Sequence, residues 1–199
     1  THAYDVFVSD MGKISSSNQE ILNKSLIKFE QESHKIAKTL KLDLIIKSPG
    51  ISDESDIIKF FNSYSCKIIS EIEFAYNYCK SDIICITGSN GKTTTATLTH
   101  KIISEADFTC SISGNIGKSF SSVCENEVDY SIVEISSFQL DGIDSFKPHI
   151  AVLTAITPDH LDRYKNFDSY VESKFRITKN QTDKDYLIYD ADCSIINNY

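Results

Sequence analysis

Thr87-Gly88-Ser89-Asn90-Gly91-Lys92-Thr93-Thr94 lies between an apolar run, Ile83-Ile84-Cys85-Ile86, and a stretch with helical spacing. Strand, glycine loop and helix start together make a phosphate cradle. Two glycines let the backbone approach an anion, Lys92 supplies a point charge, and Thr93 places a hydroxyl where a phosphate-bound Mg²⁺ needs a ligand. The helix start adds its own positive potential. The general pattern G-x-x-x-x-G-K-[ST] asks for a first glycine where this chain has Ile86, so the loop alone is a weaker signal than its context.

Outward from the loop, short β-rich runs alternate with longer amphipathic ones. Strands are expected at Asp5 to Val8, Leu42 to Ile46, Lys67 to Ile69, Ile83 to Ile86, Phe108 to Ile112, Tyr130 to Glu134, Ile150 to Thr154 and Tyr186 to Tyr189. After the loop, Leu98, Ile102 and Ala106 recur every four residues with Ile103 alongside, the apolar stripe of a packed helix. Such alternation implies an α/β fold with a mainly parallel sheet covered on both faces. No internal repeat or low-complexity tract interrupts it. The expected boundary lies near Tyr78 to Ser81, giving domains 1–80 and 81–199.

The 199 residues carry a formal charge of −8, which argues against a general nucleic-acid surface. Arg163 and Arg176 are the only arginines, so bidentate recognition is scarce. Six cysteines form no C-x-x-C pair and no zinc-like spacing with the five histidines, the pattern of a reduced, cytoplasmic protein. Cys85, inside a strand pattern, reads as a small buried hydrophobe. Neither a long apolar span nor a secretory leader is visible, so no membrane partner is expected. The chain opens almost directly on a strand pattern and closes on another, as expected of a piece of a longer protein.

Other polar groups gather at strand tips, where open parallel sheets bind ligands. Glu134 ends one strand and is either a Mg²⁺ ligand or an exposed glutamate. Asp159, His160, Asp162 and Arg163 follow another. His160 there is a metal or phosphate ligand or a hydrogen-bonded structural residue, and Asp159 after Pro158 has helix capping as its alternative. Gly114-Asn115-Ile116-Gly117 is a turn or a ligand contact through Asn115, and Ser48-Pro49-Gly50 carries the same ambiguity.

In this order, the motifs resemble the Mur ligase family of peptidoglycan synthesis. The matching pieces are Ser48-Pro49-Gly50-Ile51, Glu71-Ile72-Glu73, Thr87 to Thr94, Gly114 to Gly117, Glu134 to Leu140, Asp159 to Tyr164, and Lys174 with Arg176. They cover essentially the whole chain, and Ser136-Ser137-Phe138-Gln139-Leu140 is similar to the D-glutamate-adding branch. The resemblance implies a partial Rossmann-like UDP-binding domain followed by a partial P-loop-type ATPase domain. It also implies ATP and Mg²⁺ as cofactors, and UDP-N-acetylmuramoyl-L-alanine and D-glutamate as substrates joined through an acyl phosphate. Residues Gly88 to Thr94 would bind ATP, with Lys92 on its phosphates. Thr93 and Glu134 would hold Mg²⁺, and His160 and a CO₂-carbamylated Lys174 a second metal site. Ser9, Ser48, Gly50, Asn115 and His160 would contact the UDP substrate, and Lys92, His160 and Lys174 would be catalytic. From spacing alone Lys174 reads as a solvated helix lysine. The chain departs from the family at Ala155, where members usually carry asparagine, so one polar contact is expected to be lost. Alternative readings are another ligase of the superfamily, such as folylpolyglutamate synthase, or a nucleotide-binding module without ligase activity.

Overall fold

The computed structural model describes residues 4–159 and 163–199. Two compact units emerge, one of residues 1–45 and 51–67, the other of residues 46–50 and 68–199.

In the first unit β1 (Phe7–Asp10) pairs in parallel with β2 (Lys28–Gln31) across α1 (Ser16–Lys24). Ser15 caps α1 by accepting from the Asn18 N–H. Glu30, almost fully buried on β2, accepts from the Ile36 and Ala37 N–H groups at 2.9 and 2.7 Å and so fixes the short 3-10 turn Ala37–Thr39. Further on, β3 (Leu44–Lys47) pairs with β4 (Lys67–Ser70), and α2 (Asp56–Ser63) buries Ile58 and Phe61.

The second unit runs α3 (Glu71–Tyr76), β5 (Asp82–Thr87), α4 (Lys92–Glu105), β6 (Cys110–Gly114), β7 (Tyr130–Glu134), α5 (Ser137–Asp141), β8 (Ile150–Leu153), α6 (Phe167–Phe175), β9 (Tyr186–Tyr189) and α7 (Ser194–Asn197). Its five strands form one sheet in the order β6-β7-β5-β8-β9, every pairing parallel. The expected parallel α/β layout is therefore present. Central β5 explains why its sequence is a continuous apolar run: Ile83 and Cys85 enter one core with Val133 and Ala151, while Ile84 and Ile86 enter the opposite core with Ile132 and Ala96. Each such isoleucine contributes about 1.5–3 kcal/mol relative to exposure. Cys85 is fully buried, and burial pushes its thiol well above the ordinary range, as befits a structural hydrophobe. All six cysteines are free thiols.

Glu73 joins the layers. Its carboxylate, 3% exposed, accepts from the N–H groups of Asp144, Ser145 and Phe146 at 2.8, 2.8 and 2.9 Å and from the Ser145 hydroxyl at 2.5 Å. Burial alone would raise its pKa, but the Ser145 hydroxyl and the three backbone donors outweigh it and hold the carboxyl below the usual range.

Some expectations need correction. Strand β2 was absent from the predicted set, because Lys28-Phe29-Glu30-Gln31 lacks a β-branched run and its burial comes from one glutamate. Strands β1, β3 and β6 begin two residues later than the pattern implies. On α4 most of the expected core stripe faces solvent: Leu98 and Ile102 are 56% and 59% exposed and Ala106 lies past the helix end. Ile103 of that stripe does pack against the sheet core, beside the buried Ala96, whose small side chain fits where α4 meets the sheet. Among the described residues no helix is long and apolar enough to cross a membrane.

Candidate functional site

The strand order reverses direction around β5, and the tips of β5, β7 and β8 therefore open onto one crevice. The loop after β5 is pinned from below. Thr154, just past β8, directs its single hydroxyl hydrogen at Asn90 O, 2.7 Å away, with Thr87 O at 3.1 Å, and Ser89 N donates to Ala155 O at 2.8 Å. The side chain at 155 is thus immaterial to this bond, which uses the Ala155 carbonyl. Gly88 has to be glycine: at φ +147° an added Cβ would lie 1.8 Å from the Thr154 hydroxyl oxygen.

Lys92 opens α4 and folds back over the loop, donating to Gly88 O and Ser89 O, both at 3.0 Å. One residue on, Thr93 donates its hydroxyl to Glu134 Oε2 at 2.7 Å, and Asn115 Nδ2 donates to Oε1 of the same carboxylate at 3.0 Å. Glu134 is 2% exposed, which overturns the reading of an exposed strand-end glutamate. The Gly114-Asn115 turn exists to make this approach: a Cβ at Gly114, φ +103°, would lie 2.1 Å from Glu134 O.

Lys174, on α6, is 2% exposed and donates to Gly88 O at 2.8 Å, so the solvated-lysine reading also fails. Burial first, then the charge of Lys92, lower its pKa to about 8, against opposing pulls from Asp159 and Asp141. Two ammonium groups thus share one carbonyl oxygen. Beside Lys174, the Ser173 hydroxyl lies within reach of two acceptors, Asp141 Oδ1 at 2.7 Å and Ser137 O at 2.9 Å, and the Tyr164 hydroxyl donates to Asp141 at 2.7 Å. Burial leads in raising the Tyr164 pKa, keeping the phenol a donor.

A cavity of about 300 Å³ collects these groups; Pro49, Gly50, Lys92, Asn115, Ser136, Ser137, Phe138, Asp159, Tyr170 and Lys174 line it. Arg163 closes over Phe138 at 4.3 Å and donates to Pro49 O at 3.3 Å. A larger hollow of about 500 Å³ beside β9 contains none of the loop residues and is not the site. Of the expected residues, Gly50, Lys92, Asn115 and Lys174 line the cavity, and Thr93 and Glu134 bond beside Lys92 and Asn115. Ser48 precedes Pro49 on an exposed turn. Ser9 belongs to the first unit, where its hydroxyl meets Glu30 Oε1 at 2.9 Å and His34 Nδ1 at 2.6 Å. His160 and Asp162 lie outside the described residues.

Among the described residues no group of three or more His, Cys, Asp or Glu could hold a metal. The Thr93 and Glu134 pair nonetheless fits magnesium, which takes hard oxygens, needs few protein ligands and keeps water and phosphate for the rest.

The family model of the Mur ligase middle domain matches residues 86–199, and that of the MurD N-terminal domain matches residues 1–57. The chain belongs to the Mur ligase family. Similar curated Mur ligases include the UDP-N-acetylmuramoylalanine--D-glutamate ligases of Christiangramia forsetii, 47% identical over 96% of this chain and 43% of that protein, and of Bacteroides thetaiotaomicron, 46% identical over 97% and 44%. The chain therefore spans less than half the length of these relatives. Among solved Mur ligases, the UDP-N-acetylmuramate:L-alanyl-gamma-D-glutamyl-meso-diaminopimelate ligase of Neisseria meningitides superposes with a TM-score of 0.64 at 14% identity, over 96% of this chain and 65% of that one. MurC of Thermotoga maritima does so at 0.55 and 19%, over 98% and 45%. At such identities the likeness is one of fold.

Tyr170, Thr154 and Asp141 were missed from sequence. Tyr170 carried a signal: it stands four residues before Lys174, one turn along the same helix face.

Proposed function

We propose that the chain is the substrate- and nucleotide-binding part of an ATP-dependent ligase that adds D-glutamate to UDP-N-acetylmuramoyl-L-alanine, in the cytoplasm. The carrying observation is the convergence of Lys92, Asn115 and Lys174 on one cavity with the Thr93–Glu134 pair beside it. The activity named for these relatives supports the choice of D-glutamate. We assign residues 1–80 to the UDP substrate and residues 81–199 to ATP.

Lys92 releases Gly88 O and Ser89 O to neutralise nucleotide phosphates, while Gly88 to Thr94 hold them through the backbone. Thr93 and Glu134 would hold Mg²⁺, which when bound would supply charge neutralisation for phosphoryl transfer to the substrate carboxylate. The residues of this chain therefore act by positioning and charge stabilisation. Asn115 keeps the Glu134 carboxylate turned toward Thr93, and His160 and Lys174, the latter as its carbamate, serve a second metal. Ser9, Ser48, Gly50 and Asn115 serve the UDP substrate.

The test supplies the protein carrying this chain with ATP, Mg²⁺, UDP-N-acetylmuramoyl-L-alanine and one amino acid at a time. D-glutamate should give phosphate release matched by ligated product, and the 199-residue chain alone should give none. Product formation with L-alanine or a diamino acid in place of D-glutamate would overturn the assignment.

A further inference from the structure

Tyr170 is 1% exposed on α6, and it touches two parts of the site at once. Its hydroxyl oxygen lies 2.9 Å from Ser89 Oγ, inside the phosphate loop. Its ring lies under Lys174, with Nζ 4.5 Å from the ring centroid. Either hydroxyl could donate in the first contact, and one assignment also satisfies both Thr157 groups. Ser89 Oγ spends its single hydrogen on Thr157 O at 2.8 Å and accepts from Thr157 N at 3.0 Å, which leaves one lone pair for the tyrosine hydroxyl to donate into. The ring face, in turn, offers negative quadrupole to an ammonium removed from water.

We propose that Tyr170 is a positioning residue that ties the phosphate loop to Lys174, setting the loop through Ser89 and the lysine through its ring. The inference deepens the proposed function and rests on its nucleotide site. Loop and lysine already meet at Gly88 O, so a second tether four residues earlier on the same helix fixes the angle at which Lys174 enters. Without it, the lysine is held by one hydrogen bond on a flexible stem.

Two readouts separate the two ends. Calorimetric titration of ATP with Mg²⁺ reads the loop, and competitive acetylation in bicarbonate-free buffer, where Lys174 is the free amine that precedes its carbamate, followed by peptide mass spectrometry reads the exposure of that amine. Tyr170→Phe keeps the ring and loses the hydroxyl: ATP should bind about two- to tenfold more weakly, one buried hydrogen bond's worth, with Lys174 acetylated at the wild-type rate. Ser89→Ala should cost a similar factor, and the double variant little more than either alone. Tyr170→Leu should raise the acetylation rate several-fold. If that variant fails to fold, Tyr170→3,4,5-trifluorophenylalanine keeps the ring volume, weakens the quadrupole and should raise the rate relative to Tyr170→Phe. Wild-type ATP affinity in Tyr170→Phe, or full additivity with Ser89→Ala, would overturn the loop end. Unchanged acetylation in the folded ring variants would overturn the lysine end. A wild-type protein that binds no ATP would overturn the proposed function and the loop end with it, while acetylation would still decide the lysine end.

Discussion

Replacing Gly114 with alanine should damage both the fold and the proposed magnesium site, and the geometry sets the size of the effect. An added Cβ lies 2.1 Å from Glu134 O where ordinary contact begins at 3.4 Å, so the ends of β6 and β7 must part by about 1.3 Å. The φ of +103° adds about 1–3 kcal/mol of backbone strain. Parting the strands also breaks the 2.8 Å bond from Asn115 N to Glu134 O, worth about 1 kcal/mol, and the 3.0 Å bond from Asn115 Nδ2 to the carboxylate, worth about 1.5–3 kcal/mol. Together these reach about 3–7 kcal/mol, comparable with the whole stability of a domain. Urea unfolding followed by circular dichroism measures it. Gly88→Ala supplies the contrast: its nearest obstacle, 1.8 Å away, is the side-chain hydroxyl of Thr154, so adding Thr154→Ala should recover part of the loss. No side-chain change should rescue Gly114→Ala, because its obstacle is backbone. A Gly114→Ala protein within about 1 kcal/mol of wild type would refute the reasoning.

Glu73→Gln should destabilise the protein by about 2–4 kcal/mol at neutral pH, because the amide turns donors toward backbone N–H groups that now lack an acceptor. Since the native pKa of Glu73 is lowered, its contribution is present above the unfolded value of about 4.3 and fades as pH falls through the native value. Urea midpoints of wild type and variant should therefore converge in acid; a constant gap from pH 7 to pH 3 would contradict this. Ser113→Ala should stabilise by about 1 kcal/mol, raising the melting temperature about 2–4 °C, because the buried Ser113 hydroxyl has no hydrogen-bond partner among the described residues. A drop in melting temperature would show that the hydroxyl has a use.

Local chemistry made the loop and most of the sheet readable from sequence. Ile83 to Ile86 is apolar because β5 is buried on both faces, and Gly88 and Gly91 mark positive φ. What escaped depends on partners distant in sequence. Nothing local to Lys28-Phe29-Glu30-Gln31 announces a strand, because Glu30 is buried to cap a turn six residues later. The spacing of Leu98 and Ile102 correctly marks one helix face, but which face meets the sheet follows from how the loop launches α4 at Gly91. Lys174 reads as a surface lysine until the tertiary fold brings it 2.8 Å from Gly88 O. Asn115 and Glu134 each offered two readings in sequence, and their mutual hydrogen bond exists only because β6 and β7 are neighbours.

The central claim is that Lys92, Thr93 and Glu134 form one site for a nucleotide's phosphates and Mg²⁺. Titrating ATP into wild type and Glu134→Gln, with and without Mg²⁺, tests it most directly. Wild type should bind ATP more tightly when Mg²⁺ is present, and Glu134→Gln should lose that enhancement while still binding ATP through the loop and Lys92. An equal Mg²⁺ enhancement in both proteins would contradict the account.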